Sequence, residues 1–132
     1  NNLDSIKSAV TDQTAAVLVE AVQGEGGIIP ADPKFLVGLE ELCNEKDILL
    51  LFDEVQAGIG RTGKWFGFQN YAVQPDAFSL AKALGNGFPI GAIVAAPKIA
   101  DVFQPGHHAT TFGGTPLACA AAIAASSVGS HS

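Results

Sequence analysis

Short apolar runs alternate with segments of helical periodicity along this chain, and the alternation allows few folds. The runs lack the polar alternation of a half-exposed strand, and such runs are typical of strands buried in a parallel sheet. They occupy residues 14–19, 48–52, 77–81 and 90–95. The sequence therefore predicts an α/β fold, with a mostly parallel sheet and flanking helices.

The predicted helices lie between or outside these runs. Asp32 can cap a helix whose first residue is Pro33. Its apolar face is then formed by residues at helical spacing, namely Phe35, Leu36, Leu39, Leu42 and Cys43. We also expect a first helix over residues 3–10 and a last one that opens at Thr115 and Pro116 and ends near Ala125.

The amino-acid composition and net charge limit which classes of protein and which binding partners are plausible. The 132 residues are 48% hydrophobic, with a mean hydropathy of +0.29, as expected for one packed domain. Thirteen acidic residues against seven basic ones give a net charge of -6, which argues against nucleic-acid and anionic-membrane partners.

Cysteine usage and the amino-terminal residues predict the compartment. Cys43 and Cys119 both lie in predicted helices and are too few for a disulfide framework. The chain opens without a signal-peptide pattern, and no apolar run has membrane-spanning length. We therefore expect a cytoplasmic protein, or one of an organellar matrix if a missing amino-terminal segment carried a transit peptide.

Polar side chains follow three of the predicted strands. Glu20 follows the first strand, Asp53 the second and Lys82 the third. In open α/β sheets, ligands bind outside the carboxyl ends of the strands, so these side chains are expected to converge there. Polar residues also occur at strand ends simply to turn the chain, and the interpretation therefore depends on the residue types.

Lys82 and Asp53 carry an amine and a carboxylate, the two chemical groups that one kind of cofactor requires for binding. Apolar surroundings, as expected after residues 77–81, favour the neutral amine of a lysine, which can attack an aldehyde to form a Schiff base. Asp53 and Glu54 should point to opposite faces, and Asp53 is expected to be the more buried. A buried carboxylate needs a cationic partner, such as the protonated ring nitrogen of pyridoxal phosphate. The pair predicts a pyridoxal-phosphate site.

A competing motif lies in residues 58–64, which match the first seven positions of a phosphate-binding P-loop. The eighth position requires a serine or threonine hydroxyl for Mg²⁺, and here it is Trp65. Five residues also separate the preceding strand from Gly58. A P-loop nucleotide binder is therefore a less favoured alternative.

Two further clusters are assigned structural roles. His107 and His108, with Asp101 nearby, are interpreted as loop residues, and no metal site is predicted. The aromatic residues between 65 and 71 have roughly helical spacing and predict a packing stripe: Trp65, Phe66, Phe68 and Tyr71.

Several segments resemble the signature of the class-III pyridoxal-phosphate aminotransferases. They are LLFDEVQAGIGRTG at 50–63, Pro75-Asp76, and AKALGNGFPIG at 81–91. Residues 19–27 and 110–117 make the chain most similar to acetylornithine and ornithine aminotransferases. The resemblance covers residues 1–125 and implies part of the large, cofactor-binding domain of a fold-type I homodimer. Residues 126–132 form an atypical tail, interpreted as a truncation, a frame change or an expression scar.

The resemblance also implies roles at the cofactor. Lys82 would hold the cofactor as a Schiff base and move the proton at the substrate's α carbon. Asp53 would pair with the ring nitrogen, Gln56 would hydrogen-bond the phenolic oxygen, and Val55 would pack on the ring face. Thr111 would reach the phosphate of the cofactor in the neighbouring subunit.

For the substrate, the resemblance assigns Glu25 as a carboxylate that gates a substrate-binding arginine, with Glu20 behind it. The implied reaction is transamination between N-acetylornithine, or a similar ω-amino compound, and 2-oxoglutarate, in arginine and ornithine metabolism. The family's phosphate loop and substrate arginine are expected outside this chain. A noncatalytic, truncated remnant with at most weak cofactor binding is therefore the main alternative, and related isomerase and decarboxylase chemistries also stay open.

Overall fold

A computed structural model of the protein describes residues 1–128. The strands are β1 (Ala16–Val19), β2 (Val22–Gln23), β3 (Ile29–Pro30), β4 (Leu49–Asp53), β5 (Ala77–Leu80) and β6 (Ala92–Ala95). The helices are α1 (Leu3–Ala9), α2 (Pro33–Lys46), α3 (Pro97–Ala100) and α4 (Pro116–Ser127), with two 3₁₀ helices at Gly67–Asn70 and Lys82–Leu84.

The main sheet has four strands in the order β1-β4-β5-β6. Strands β1, β4 and β5 are parallel, whereas β6 pairs with β5 in the antiparallel direction. The predicted mostly parallel α/β sheet is confirmed. All four apolar runs form strands, each somewhat shorter than or offset from the predicted run.

Helix α2 covers one face of this sheet. Asp32 caps the helix by accepting a hydrogen bond from the backbone N–H of Lys34 at 2.7 Å, and Pro33 is the first helical residue, as predicted. The buried face of the helix packs on Leu50 and Phe52 of β4, and consists of Leu36, Leu39, Leu42 and Cys43. Burying these side chains together provides the main core of the chain.

The second face of the sheet is less covered. Leu18 of β1 is 67% exposed and Ile93 of β6 is 63% exposed. Both side chains project away from α2: Leu18 alternates with Val17 and Val19, which pack against the core, and Ile93 pairs with Ser79 and not with the core-facing Phe78. Residues 1–128 therefore leave an apolar sheet face open.

Most of the predicted aromatic stripe packs against the sheet. The rings of Phe66 and Phe68 lie 4.6 and 5.2 Å from the ring of Phe78. The hydroxyl of Tyr71 donates a hydrogen bond to the carbonyl of Ala21 at 3.3 Å. Trp65 differs, because 36% of its surface stays exposed.

Asp76 connects three strands at the amino end of β5. Its carboxylate accepts the backbone N–H of Leu50 in β4 at 2.8 Å, and its carbonyl accepts the N–H of Ala96 after β6 at 2.7 Å. The same carboxylate forms an ion pair with Lys98 in α3. This structural role was not predicted from the Pro75-Asp76 motif.

Helix α4 begins after Thr115, as predicted, although the Thr115 hydroxyl makes no capping hydrogen bond. The helix continues to Ser127, two residues beyond the expected end at Ala125. Residues 129–132 of the predicted tail lie outside the described residues, and the domain boundary near residue 125 stays a prediction. None of the helices in residues 1–128 combines the length and apolar character needed to cross a bilayer.

Candidate functional site

A cavity of about 390 Å³ lies where the chain leaves β4 and β5. Lys82, Val55 and Gln56, which were predicted to act together, all line it. The β2–β3 hairpin adds Val22 and Ile28, and the loop after β4 adds Arg61 and Thr62. The walls are thus mainly apolar with a few polar groups, which is typical of a small-molecule site.

The β2–β3 hairpin was not predicted as a pair of strands, because each strand has only two residues. Val22 pairs with Pro30, and Gln23 pairs with Ile29. At its turn, Ile28 has a φ of +56°, a left-handed conformation that is unusual for a β-branched residue. The hairpin places both Val22 and Ile28 at the cavity.

Lys82 starts the 3₁₀ helix that follows β5, and its φ is +44°. A left-handed non-glycine residue costs about 1–3 kcal/mol, and such residues concentrate at functional sites. The prediction that apolar residues enclose Lys82 is wrong for this chain, because the residue is exposed. Strand β5 ends at Leu80, so Lys82 lies beyond the sheet and outside its buried interior.

Asp53 is the last residue of β4 and is half-buried. Its Oδ1 atom accepts hydrogen bonds from the backbone N–H of Val55 at 2.9 Å and from the hydroxyl of Ser79 at 3.3 Å. Across residues 1–128, no hydrogen bond to its other oxygen, Oδ2, is found. Asp53 does not itself line the 390 Å³ cavity and lies beside Ser79 of β5.

The prediction that Asp53 is the more buried of the two acids is wrong, because Glu54 is the buried one. The Glu54 side chain is 1% exposed, and its oxygens accept the backbone N–H groups of Gly67 at 2.6 Å and Phe68 at 2.9 Å. Burial raises the pKa of the Glu54 carboxyl, although the two N–H donors lower it. No local pattern indicates this burial, because the hydrogen-bond partners lie 13 and 14 residues away.

Gln56 connects the cavity to the predicted gating residue. Its side-chain Nε2 donates to Oε1 of Glu25 at 3.4 Å. Gly24 lies against the same amide, so that a Cβ atom there would come within 2.4 Å of Gln56 Cδ. The structure therefore brings Glu25 next to one of the predicted cofactor residues.

Glu20 supports this arrangement from outside the cavity. Its Oε2 atom accepts the backbone N–H of Gly24 at 2.9 Å and so fixes the turn that carries Glu25. Glu20 lines a different pocket, which is formed with the amino-terminal residues and α2.

Thr111 lies away from the cavity, on an exposed segment between α3 and α4. The same segment carries His107 and His108, which are also exposed. Over the described part of the chain, no group of three or more His, Cys, Asp or Glu side chains could hold a metal ion.

The P-loop alternative lacks its structural context. A P-loop leads directly into a helix whose amino terminus binds phosphate. Here residues 61–66 form turns and bends, and they lead into the 3₁₀ helix Gly67–Asn70. The next α-helix begins only at Pro97. The geometry therefore argues against nucleotide binding at residues 58–64.

Comparison with known proteins identifies the family. The chain belongs to the class-III aminotransferases, because the model of that family matches residues 1–128. Enzymes of this family depend on pyridoxal phosphate. The family resemblance and the fold type predicted from the sequence are thus confirmed.

Individual relatives have related names. The chain is 55% identical over 124 residues to acetylornithine aminotransferase of Methanocaldococcus jannaschii, covering 94% of the chain and 31% of that protein. It is 54% identical over 122 residues to succinylornithine transaminase of Yersinia pseudotuberculosis, covering 92% of the chain and 30% of that protein.

Solved structures of aminotransferases have a closely similar fold over this part of the chain. Ornithine δ-aminotransferase of Plasmodium falciparum superposes with a TM-score of 0.90 at 40% identity, over 96% of this chain and 34% of that one. The chain therefore spans about a third of the length of the relatives it matches.

Proposed function

We propose that this chain is the part of a class-III aminotransferase that holds pyridoxal phosphate through Lys82 and Asp53. The proposed reaction transfers an amino group from N-acetylornithine, or a similar ω-amino compound, to 2-oxoglutarate. This places the protein in arginine and ornithine metabolism. The names of the relatives at 54% and 55% identity support the substrate class.

The observation that carries the proposal is the shared cavity of Lys82, Val55 and Gln56. These residues come from two strand ends that are 82 − 55 = 27 positions apart in the sequence, and parallel pairing of β4 and β5 brings them together. Although Lys82 is exposed, its left-handed backbone and the mainly apolar cavity beside it favour a functional role for this lysine.

The donor set fits the cofactor. The Lys82 amine can hold an aldehyde, the Gln56 amide can donate to a phenolic oxygen, and Val55 offers an apolar surface to a ring. Asp53 keeps Oδ2 free of hydrogen bonds from the described residues, while Val55 and Ser79 fix Oδ1. An ionised carboxylate oriented in this way suits a protonated ring nitrogen.

Pyridoxal phosphate, when bound, supplies an electron sink for charge that develops at the substrate's α carbon. The residues of this chain provide the rest. Asp53 would keep the proton on the ring nitrogen, and the free amine of Lys82 would accept the proton from the α carbon. Gln56 would orient the ring through its amide, whose contact with Glu25 links it to the substrate side.

The remaining roles concern a second copy of the chain. We propose a homodimer in the cytoplasm, in which Thr111 reaches the cofactor phosphate of the partner subunit. Exposure of Thr111 and of its neighbour Phe112, which is 79% exposed, supports an intermolecular role for this segment.

Two acids are proposed for the substrate side of the site. Glu25 would gate the substrate-binding arginine, with Glu20 holding the turn that carries Glu25.

Reductive labelling tests the proposal directly. The chain is incubated with pyridoxal phosphate, reduced with borohydride and digested, and the modified lysines are mapped by mass spectrometry. We expect one dominant label on Lys82 that Lys82→Arg abolishes. Lys64→Arg, at an exposed lysine outside the cavity, is the matched control and should leave the label unchanged.

Labelling spread over several exposed lysines would instead favour a noncatalytic remnant with weak cofactor binding. If Lys82 alone is labelled, the amino donor is tested next. N-acetylornithine is added to the cofactor-loaded chain, and single-turnover conversion of the cofactor is monitored by its absorbance. If no ω-amino compound changes the absorbance, the proposed reaction is contradicted, whereas cofactor binding by the chain still stands.

A further inference from the structure

Glu54 is the least exposed charged side chain in residues 1–128, at 1%. No ion pair joins it to a cation in the described chain; instead its two oxygens accept the N–H groups of Gly67 and Phe68. A buried carboxylate requires such compensation for lost solvation. Its position is thus determined by hydrogen bonds to one short backbone segment.

The backbone of Glu54 is equally engaged. Its N–H donates to the carbonyl of Ser79 in β5 at 3.0 Å, and its carbonyl accepts the N–H of Gly58 at 2.9 Å. One residue therefore joins the end of β4, strand β5, the start of the following loop and the 3₁₀ helix that ends it. We call residues 55–66 the cavity loop.

The cavity loop supplies much of the proposed cofactor site. Val55, Gln56, Arg61 and Thr62 belong to it and line the cavity together with Lys82. Both ends of the loop meet Glu54, because Val55 follows it in the chain and Gly67 follows the loop. Movement of the Glu54 carboxylate would release the far end of the loop.

Two glycines show how closely the chain packs around Glu54. A Cβ atom on Gly58 would lie 2.6 Å from the Glu54 carbonyl oxygen. A Cβ atom on Gly67 would lie 2.8 Å from the Cβ of Ala57 and 3.2 Å from both carboxylate oxygens. The contacts leave no room for a side chain at either position.

We propose that Glu54 is a positioning residue for the cofactor site, and that its buried carboxylate keeps the cavity loop closed so that Val55 and Gln56 face Lys82. The inference rests on the proposed function, since it concerns the same cavity. Glu54 itself faces Gly67 and Phe68 and does not line the cavity, so it acts through the loop.

The test compares Glu54→Gln with variants that destabilise the core elsewhere. Glutamine keeps the size but presents an NH₂ group to one of the two N–H donors. Leu39→Val and Leu39→Ala remove graded amounts of core packing under α2, away from the cavity. Two quantities are measured: amide hydrogen exchange at Gly67 and Phe68, and the pyridoxal-phosphate concentration that half-saturates the Lys82 label, corrected for the folded fraction.

For E54Q we expect faster exchange at Gly67 and Phe68, and cofactor affinity about tenfold weaker, a change of about 1.4 kcal/mol. The Leu39 variant that matches E54Q in stability should keep the wild-type affinity. Equal affinity in E54Q and that variant would overturn the positioning role.

Gly67→Ala gives an independent check that keeps the carboxylate. The added methyl group must push the 3₁₀ helix away from Ala57, so the same weakening is expected, and wild-type affinity in this variant would also refute the proposal. Gly67→Ala answers the question if E54Q does not fold. Absence of the Lys82 label in the wild-type chain would refute the proposed function itself, and the positioning role with it.

Discussion

At the scale of single residues, adjacent acids take different roles. Asp53 is half-buried with one oxygen free of hydrogen bonds from the described residues, whereas Glu54 is buried with both oxygens used. Strand alternation explains why their partners differ. The sequence predicted this separation but not which acid is buried, because burial of Glu54 depends on where residues 67 and 68 return.

The Asp53 role can be tested by Asp53→Asn. The asparagine oxygen can still accept from Val55 and Ser79, so the fold and the Lys82 label should persist. The amide cannot hold a ring nitrogen in its protonated state, and single-turnover conversion should fall by about 10²-fold, as for the loss of one preorganised electrostatic partner. Stopped-flow absorbance measures this rate. Asp12→Asn, in an exposed turn, should convert at the wild-type rate, and an unimpaired D53N would disprove the assignment.

The buried acid predicts an unusual pH dependence. Burial is the main cause that raises the pKa of the Glu54 carboxyl above 4.5, and nearby Asp53 adds to it. The folded state thus binds this proton more tightly than the unfolded state does. The resulting stabilisation is complete below the unfolded pKa and is lost as pH rises through the folded pKa.

The free energy of unfolding of the wild type, minus that of E54Q, should therefore decrease as pH rises from 4.5 towards neutrality. Urea unfolding at a series of pH values measures the difference. An increase with pH would mean that the two N–H donors outweigh burial. Glu41→Gln, at an exposed acid on α2, provides the matched control.

At the scale of elements, the apolar runs and the Asp32-Pro33 start were enough to predict the strands and α2. Periodicity and capping are local signals that the sequence carries directly. The β2–β3 hairpin, the reversed direction of β6 and the exposure of Lys82 were not predicted. Each depends on which distant segment lies alongside, and short segments of two to four residues carry little periodicity.

Asp76 provides a test of strand assembly. Asp76→Ala leaves the backbone N–H of Leu50 without its side-chain acceptor, and one unsatisfied buried donor costs about 1–3 kcal/mol. Lys98→Ala removes the ion-pair partner but leaves that hydrogen bond, and an exposed cation contributes little. Urea denaturation should thus show a clear loss for D76A and a small one for K98A. Equal losses would show that the ion pair, not the hydrogen bond, stabilises the strands.

At the scale of the whole molecule, the chain has one covered and one open sheet face. Leu18 and Ile93 are 67% and 63% exposed. Exposed apolar patches promote association. The chain on its own should therefore self-associate as its concentration rises.

The double variant Leu18→Lys and Ile93→Lys should reduce this association without loss of α2 packing, because both side chains point away from that helix. Sedimentation velocity over a concentration series measures the effect. Lys7→Glu and Lys34→Glu, at exposed helical positions, form a control that also changes two surface residues. Unchanged association in the lysine variant would place the contact elsewhere.

The close approach of Gly24 to Gln56 has a consequence for how this protein can vary. Because a methyl group at position 24 would lie 2.4 Å from the amide carbon of Gln56, a side chain there would displace the end of the Gln56 side chain. Any lineage that gives up the glycine should therefore move this amide, and with it alter the contact to Glu25.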